Sequence, residues 1–245
     1  MTAAQSEQPF VIDNRYIIQE SLGSGGMGTV YLAYDLLTKQ LVALKHLTTP
    51  TEQLRFQTKS NDSNLHLALA QEFRTLASLR HPHIISVYDF GFDKDNLPYY
   101  TMEHLVEARD IVRAGQNLTL NGKVNLIIQM LQAIHYLHRR GVLHRDLKPD
   151  NVLVVDNHVR VMDFGLAVET KSGTEHFESS NVIAGTLAYM SPEIFVSERF
   201  TRETDLWAVG IMLYELLVER FPFTRTSVTD LIMSILEESI DFEPV

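Results

Sequence analysis

His144-Arg145-Asp146-Leu147-Lys148-Pro149-Asp150-Asn151, followed shortly by Asp163-Phe164-Gly165, gathers the carboxylates of Asp146 and Asp163, the amide of Asn151 and Lys148 into a short span of chain. These are the groups that moving a phosphoryl group asks of a protein. Such a reaction leaves little covalent work to side chains and rests on positioning, cations and a correctly aimed hydroxyl. Mg²⁺ is hard and prefers oxygen ligands, so Asp163 and Asn151 are candidate metal ligands. Asp146 is then free to orient an acceptor hydroxyl and take its proton, and Lys148 adds positive charge beside the group in flight. Taken alone, the same polar run also fits an ordinary solvated turn. The rest of the chain has to decide.

Working outward, Gly23-Ser24-Gly25-Gly26-Met27-Gly28-Thr29-Val30 carries a GxGxxG pattern, and Val42-Ala43-Leu44-Lys45 places a lysine in the apolar stretch Leu41 to Leu47. In dinucleotide-binding folds such glycines lead from a strand into a helix. Here they lead into Thr29-Val30-Tyr31-Leu32-Ala33-Tyr34, a β-branched and aromatic run that reads as a strand. Two strands joined by a glycine loop make a flap, and without side chains at Gly23, Gly25 and Gly28 the backbone N–H groups can approach anionic oxygens. An ammonium among apolar residues needs a partner. A helix is expected over Leu65 to Leu79, and Glu72 lies on it.

With these residues the chain resembles the protein kinase family. Glycine loop, VAIK-like strand, HRDLKPxN run and DFG occur in the family's order, and three further matches follow. Met102-Glu103-His104-Leu105 is similar to the hinge between lobes, Gly185 to Glu193 to the end of the activation segment, with Ser191 in place of the usual alanine, and Asp205-Leu206-Trp207-Ala208-Val209-Gly210 to the start of a large buried helix. The resemblance implies ATP as substrate, with Mg²⁺, or Mn²⁺, on Asn151 and Asp163. It implies Asp146 as base, Lys148 at the γ-phosphate, and Lys45 with Glu72 at the α/β-phosphates. The nucleotide would lie against Leu22, Gly23, Gly25, Gly28, Val30, Ala43 and Leu153, with Met102 as gatekeeper and the backbone of Glu103 and Leu105 on the adenine edge. Lys148, together with Thr186 at the acceptor site, resembles the serine/threonine class. The Gly-Gly-Met-Gly-Thr-Val-Tyr wording is similar to bacterial members. Arg145 beside Asp146 implies a receptor for a phosphate on the activation segment, for which Ser179 and Ser180, then Thr174, are candidates. His144 is implied to be a packing residue beneath the DFG turn.

The fold expected is α+β and two-lobed: a small antiparallel β lobe with one helix, and a mainly helical large lobe. Residues 1–15 read as a flexible flank, 16–105 as the N-lobe and hinge, and 106–245 as a C-lobe that stops short of the family's last helices. Those helices normally bring an arginine to the glutamate at position 193, and leaving Glu193 buried and unpaired would cost about 3–5 kcal/mol. His135 and His138, three apart on a helix expected over Lys123 to Arg140, could share a metal, but no carboxylate or cysteine set accompanies them and ordinary helix roles fit better.

The 245 residues suffice for a large core, or two small ones. A formal charge of −10 argues against a nucleic-acid partner. The absence of cysteine excludes disulfides, thiolate zinc sites and a thiol nucleophile. No signal peptide and no membrane span is read, since the apolar run Val209 to Val218 is short and holds Glu215. The expected partners are therefore ATP, a protein substrate and a second copy for autophosphorylation, in the cytoplasm. Two other classes share parts of this reading: a binding pseudokinase, opposed by Lys45, Asp146, Asn151 and Asp163, and a nucleotide-binding oxidoreductase, opposed by the strand after Gly28. A kinase acting on small molecules is a third, opposed by the Gly185 to Glu193 signature.

Overall fold

The computed structural model describes residues 10–25, 28–48, 73–164, 187–197, 199–223 and 227–243. These fall into two compact units, one of residues up to Leu79 with Ser86–Val106, the other of Arg80–Ile85 with the residues from Glu107 onward.

The first unit is built on a six-stranded antiparallel sheet in the order β1-β2-β3-β4-β6-β5. Its strands are β1 (Val11–Ile12), β2 (Tyr16–Gly25), β3 (Gly28–Asp35), β4 (Gln40–Leu47), β5 (Val87–Phe92) and β6 (Pro98–Met102). Alternation along these strands sends Ile12, Tyr16, Ala33, Val42, Leu44 and Tyr99 into one core, where the Tyr16 and Tyr99 rings meet edge to face at 5.6 Å. Residues 73–78 are helical. Phe73 docks them by stacking on Phe90 at 5.2 Å and leaning on Tyr100 at 5.5 Å.

The flank expected over residues 1–15 ends earlier than its polarity suggests. Val11 and Ile12 pair with Ile17 and Tyr16, because Ile12 is an apolar side chain with a core to enter. Arg15 closes the turn after β1. Its guanidinium forks onto both carboxylate oxygens of Asp35 at 2.8 Å and also reaches Asp89.

The second unit begins with β7 (Arg109–Asp110), which pairs with β8 (Val152–Val155), itself paired with β9 (His158–Val161). Its helices are α1 (Ile111–Gly115), α2 (Leu120–Arg139), α3 (Pro192–Ser197), α4 (Arg202–Val218) and α5 (Val228–Glu237). Side-chain caps start three of them: the carboxylate of Asp110 accepts from Arg113 N, Thr119 Oγ1 from Gly122 N and Ser227 Oγ from Asp230 N. Helices α2 and α4 run antiparallel, tied at opposite ends by Lys123 Nζ to Glu219 at 3.2 Å and by His138 to Asp205 at 2.7 Å. Gly115 lets α1 approach α4, since a Cβ there would stand 2.2 Å from a Leu216 methyl.

Helix α4 is less enclosed than the large buried helix that its Asp205 to Gly210 motif implied. Leu206 is 47% exposed and Gly210 is open, while Asp205, Ala208, Val209 and Met212 face inward. Glu193, expected as a buried carboxylate, is only half-buried in α3, so the penalty of an unpaired charge does not apply to it. Among the described residues no helix is long and apolar enough to cross a membrane.

Candidate active site

The β8–β9 hairpin delivers two of the residues read as metal ligands to one place. Its register pairs Val152 with Val161, and one step further Met162 N donates to Asn151 O at 2.9 Å. Asn151 and Asp163 therefore leave the same end of the hairpin on neighbouring strands. The hairpin is anchored from both sides. Ile85 N donates to Val161 O and Val161 N to His83 O, while the Gln129 amide of α2 accepts from Val159 N and donates to Asn157 O.

Ahead of the hairpin, Pro149–Asn151 forms a 3₁₀ turn, a start that costs proline nothing because its missing N–H would go unused. The turn swings the Asn151 side chain back onto Asp146. Its Nδ2 donates to the Asp146 carbonyl at 2.7 Å and to the carboxylate at 3.0 Å. With the amide nitrogen committed, the carbonyl oxygen of Asn151 remains as a hard donor, as a divalent cation requires. Lys148 Nζ lies 3.1 Å from the same carboxylate, so a cation stands where the base and the transferred group would meet.

The loop holding Asp146 takes an unusual backbone path. Arg145 there has φ +70°, and Asp163, past the end of β9, has φ +59°, a region in which a residue such as arginine is uncommon. Asp205, 2% exposed at the start of α4, holds Arg145 there. One carboxylate oxygen accepts from His144 N at 2.9 Å and the other from Arg145 N at 3.0 Å. Burial pushes the Asp205 pKa up, but hydrogen bonds from His138 and the two amides outweigh it and hold the carboxyl below its ordinary value. His144 is fully buried and sits edge-on to Phe164 at 6.4 Å. Burial keeps its imidazole below the ordinary pKa against the pull of Asp205, Asp146 and Asp163. The neutral ring donates Nε2–H to the Met162 carbonyl at 3.0 Å, which suits a packing post and not a base.

Glu215, the lone charge in the apolar run Val209 to Val218, is accounted for by Tyr189, whose hydroxyl donates to its carboxylate at 2.7 Å. Burial first, and the nearby Asp110 charge second, raise the Glu215 pKa despite that bond.

In the first unit, Lys45 is buried on β4 opposite Val30 and Tyr100. Ala43 lies opposite Leu32 and Met102, both buried. Glu103 N is held by Ser86 O at 3.0 Å, and Leu105 is half-buried. Leu22, Gly23 and Gly25 are exposed on β2. The three loop glycines are not alike. A Cβ on Gly23 or Gly25 would meet nothing, whereas one on Gly28, at φ +145°, would stand 2.1 Å from His46 O. The need for glycine at 28 thus comes from the neighbouring strand. Leu153 is half-buried on β8 of the second unit. Glu72, Thr174, Ser179, Ser180 and Thr186 lie outside the described residues.

This grouping of Asp146, Lys148 and Asn151 with Asp163 at the end of a hairpin agrees with what the whole chain matches. The protein kinase domain family matches residues 16–243. The chain belongs to that family. Among its curated relatives, a probable serine/threonine-protein kinase of Streptomyces coelicolor is 35% identical over 227 residues, covering 90% of this chain and 32% of the relative. Serine/threonine-protein kinase PrkC of Bacillus subtilis is 33% identical over 229 residues, 92% of this chain and 34% of the relative. Serine/threonine-protein kinase PknB of Mycobacterium tuberculosis is 34% identical over 225 residues, 89% and 35%. The kinase domain therefore spans about a third of the length of these relatives.

Two members of the site escaped the sequence reading. Asp205 was legible only as a motif residue at a helix start, and His138 only as one of two histidines on a helix. A polar residue on the inward face of α2, beside Ile134 and Leu137, was the available signal.

Proposed function

We propose that the chain is an ATP-dependent serine/threonine protein kinase domain, moving the γ-phosphoryl group of ATP to Ser or Thr hydroxyls of proteins, its own included. The observation that carries this reading is the three-way contact in one loop, with the Asp146 carboxylate held by Asn151 Nδ2 at 3.0 Å and by Lys148 Nζ at 3.1 Å. Asp146 orients the acceptor hydroxyl and takes its proton. Lys148 neutralises charge on the oxygens in transfer. Asn151, through its free carbonyl oxygen, and Asp163 would hold Mg²⁺, or Mn²⁺, which would clamp and neutralise the phosphate oxygens when bound. Lys45 with Glu72, and the loop Gly23 to Gly28, would hold the remaining phosphates, with the adenine on the backbone of Glu103 and Leu105 between Val30, Ala43 and Leu153, below Leu22 and beside Met102.

In this reading residues 16–105 are the N-lobe and hinge, and residues 106–245 belong to the C-lobe. Thr186 favours a hydroxyl of the Ser/Thr kind, and phosphate on Ser179 or Ser180, less so Thr174, pairs with Arg145. A second copy serves as the partner for autophosphorylation, in the cytoplasm where ATP is abundant. The test is incubation with radiolabelled ATP and Mg²⁺ beside Asp146→Asn and Lys45→Met. Label on Ser or Thr in the wild type alone supports the reading, and label independent of both substitutions overturns it.

A further inference from the structure

We infer that His46 is a positioning residue for the end of β4 that carries Lys45, acting through Asp93. The inference deepens the kinase reading above and rests on it. His46 Nε2 lies 2.8 Å from Asp93 Oδ2, with side-chain exposures of 13% and 11%, although 47 positions of chain separate the two. Asp93 is itself fixed in the turn between β5 and β6. Its Oδ1 accepts from Asp95 N at 2.9 Å and from Leu97 N at 2.8 Å, and its own N donates to Leu97 O at 2.9 Å. Burial pushes the Asp93 carboxyl up, but the Leu97 amide, His46 and the Asp95 amide outweigh it and hold its pKa below the ordinary value. An ionised carboxylate only accepts, so Nε2 carries the proton that binds Oδ2.

The pair matters because of what lies beside His46 on its strand. Lys45 precedes it, opposite Val30 and Tyr100. The His46 carbonyl is the atom against which Gly28 packs, since a Cβ on Gly28 would stand 2.1 Å from it. Strand β4 ends at Leu47, opposite Gly28, and its pairing with β6 runs as far as His46 opposite Tyr99. The ladder to β6 finishes at that rung, and the imidazole–carboxylate bond adds one more tie from the strand end to the β5–β6 hairpin. Side chains alternate along a strand, so Lys45 and His46 leave opposite faces of the sheet. The bond therefore grips the strand from behind, without occupying the face on which Lys45 stands. In the kinase reading Lys45 and the loop that ends at Gly28 hold the phosphates of ATP, so both depend on where this strand end lies. A grip weakened equally in the ground state and the transition state appears in KM and not in kcat.

The test compares His46→Leu, which removes the donor, with His46→Gln, whose amide nitrogen can reach the place of Nε2. Lys94→Ala, exposed in the same turn as Asp93, is the control. Initial rates, ATP affinity by calorimetry in the absence of an acceptor, and the melting temperature are measured on each. The leucine variant is expected to raise both the KM and the dissociation constant for ATP about three- to tenfold with kcat within about twofold, the glutamine variant to recover most of that loss, and the control to match wild type. Equal KM in the leucine and glutamine variants, a loss confined to kcat, or a lower melting temperature with KM unchanged overturns the positioning role. Should the leucine variant not fold, His46→Asn, whose shorter amide stops short of Asp93, takes its place against the glutamine variant under the same criteria. A wild type that binds ATP but transfers no phosphate overturns the kinase reading while the affinities still decide this inference, and a wild type that binds none overturns both. Variants that equal an active wild type overturn this inference alone.

Discussion

The side-chain amide of Asn151 donates to both the carbonyl and the carboxylate of Asp146, at 2.7 and 3.0 Å. In the proposed kinase reading, one residue therefore orients the base and leaves an oxygen for a cation. Replacing Asn151 by Ala removes both at once. Turnover should fall by about 10²-fold or more and the concentration of Mg²⁺ needed for half-maximal rate should rise. Replacing Asp146 by Asn removes the base alone, with a loss of about 10²–10⁴-fold and no change in the Mg²⁺ requirement. Metal titrations of initial rate separate the two, and identical metal dependence in both variants would contradict the division of labour.

The fold itself constrains Gly28. A methyl there would collide with His46 O and sit at φ +145°. Gly28→Ala should destabilise the domain by about 1–3 kcal/mol, whereas Gly23→Ala and Gly25→Ala, where a Cβ meets nothing, should leave the melting temperature nearly unchanged. Chemical denaturation of the three variants gives the ranking. A Gly28→Ala protein as stable as wild type would mean that the β3–β4 spacing adapts.

Arg15 and Asp35 predict an acid dependence. The Arg15 guanidinium, aided by Leu37 N and the Thr38 hydroxyl, holds the Asp35 carboxyl far below the usual range against the effect of burial. A depressed carboxylate pKa contributes stability that is fully present above the unfolded value of about 3.9 and is lost as pH falls toward the folded value. Arg15→Met should cost about 3 kcal/mol at pH 7, and the difference from wild type should shrink below about pH 4. Unfolding free energies at pH 7, 5, 4 and 3 measure it. A difference that stays constant across that series would assign the loss to packing on Tyr16, over whose ring Arg15 also lies.

Removal of divalent metal should abolish transfer, with recovery on adding Mg²⁺ or Mn²⁺. The hard oxygen pair of Asn151 and Asp163 should respond little to softer ions. ATP with Mg²⁺ at a hundred times its dissociation constant should raise the unfolding free energy by about 2.7 kcal/mol, and Asp163→Ala should reduce that gain. Thermal shifts with and without chelator test this without any activity readout.

Much of this site was legible in the sequence because its parts lie close along the chain. Asp146, Lys148 and Asn151 share one loop, and spacing alone brings such residues together. The strand after the glycine loop was equally legible, since Thr29 to Tyr34 is β-branched and aromatic and became β3. Helix α2 lies within a few residues of the helix expected over Lys123 to Arg140. What misled was composition. Polar residues around Val11 and Ile12 hid a strand, and the resemblance of Asp205 to Gly210 to the start of a buried helix did not show that Leu206 and Gly210 are exposed.

The sequence by itself determined the chemistry available: which carboxylates, amide and lysines exist, in what order, and on which kinds of element. It could not determine which distant residues hold them. His138 and Asp205 stand 67 positions apart, and Asp205 and His144 61. A hydrogen bond over such a separation leaves no periodicity or spacing in the chain. Only the antiparallel packing of α2 on α4 brings the imidazole to the carboxylate and the carboxylate to the loop. Likewise only the pairing of β3 with β4 shows that Gly28 is required by the His46 carbonyl. Local chemistry is written in neighbours along the chain, whereas the positioning of that chemistry is decided by burial and contacts that exist only once the chain has folded.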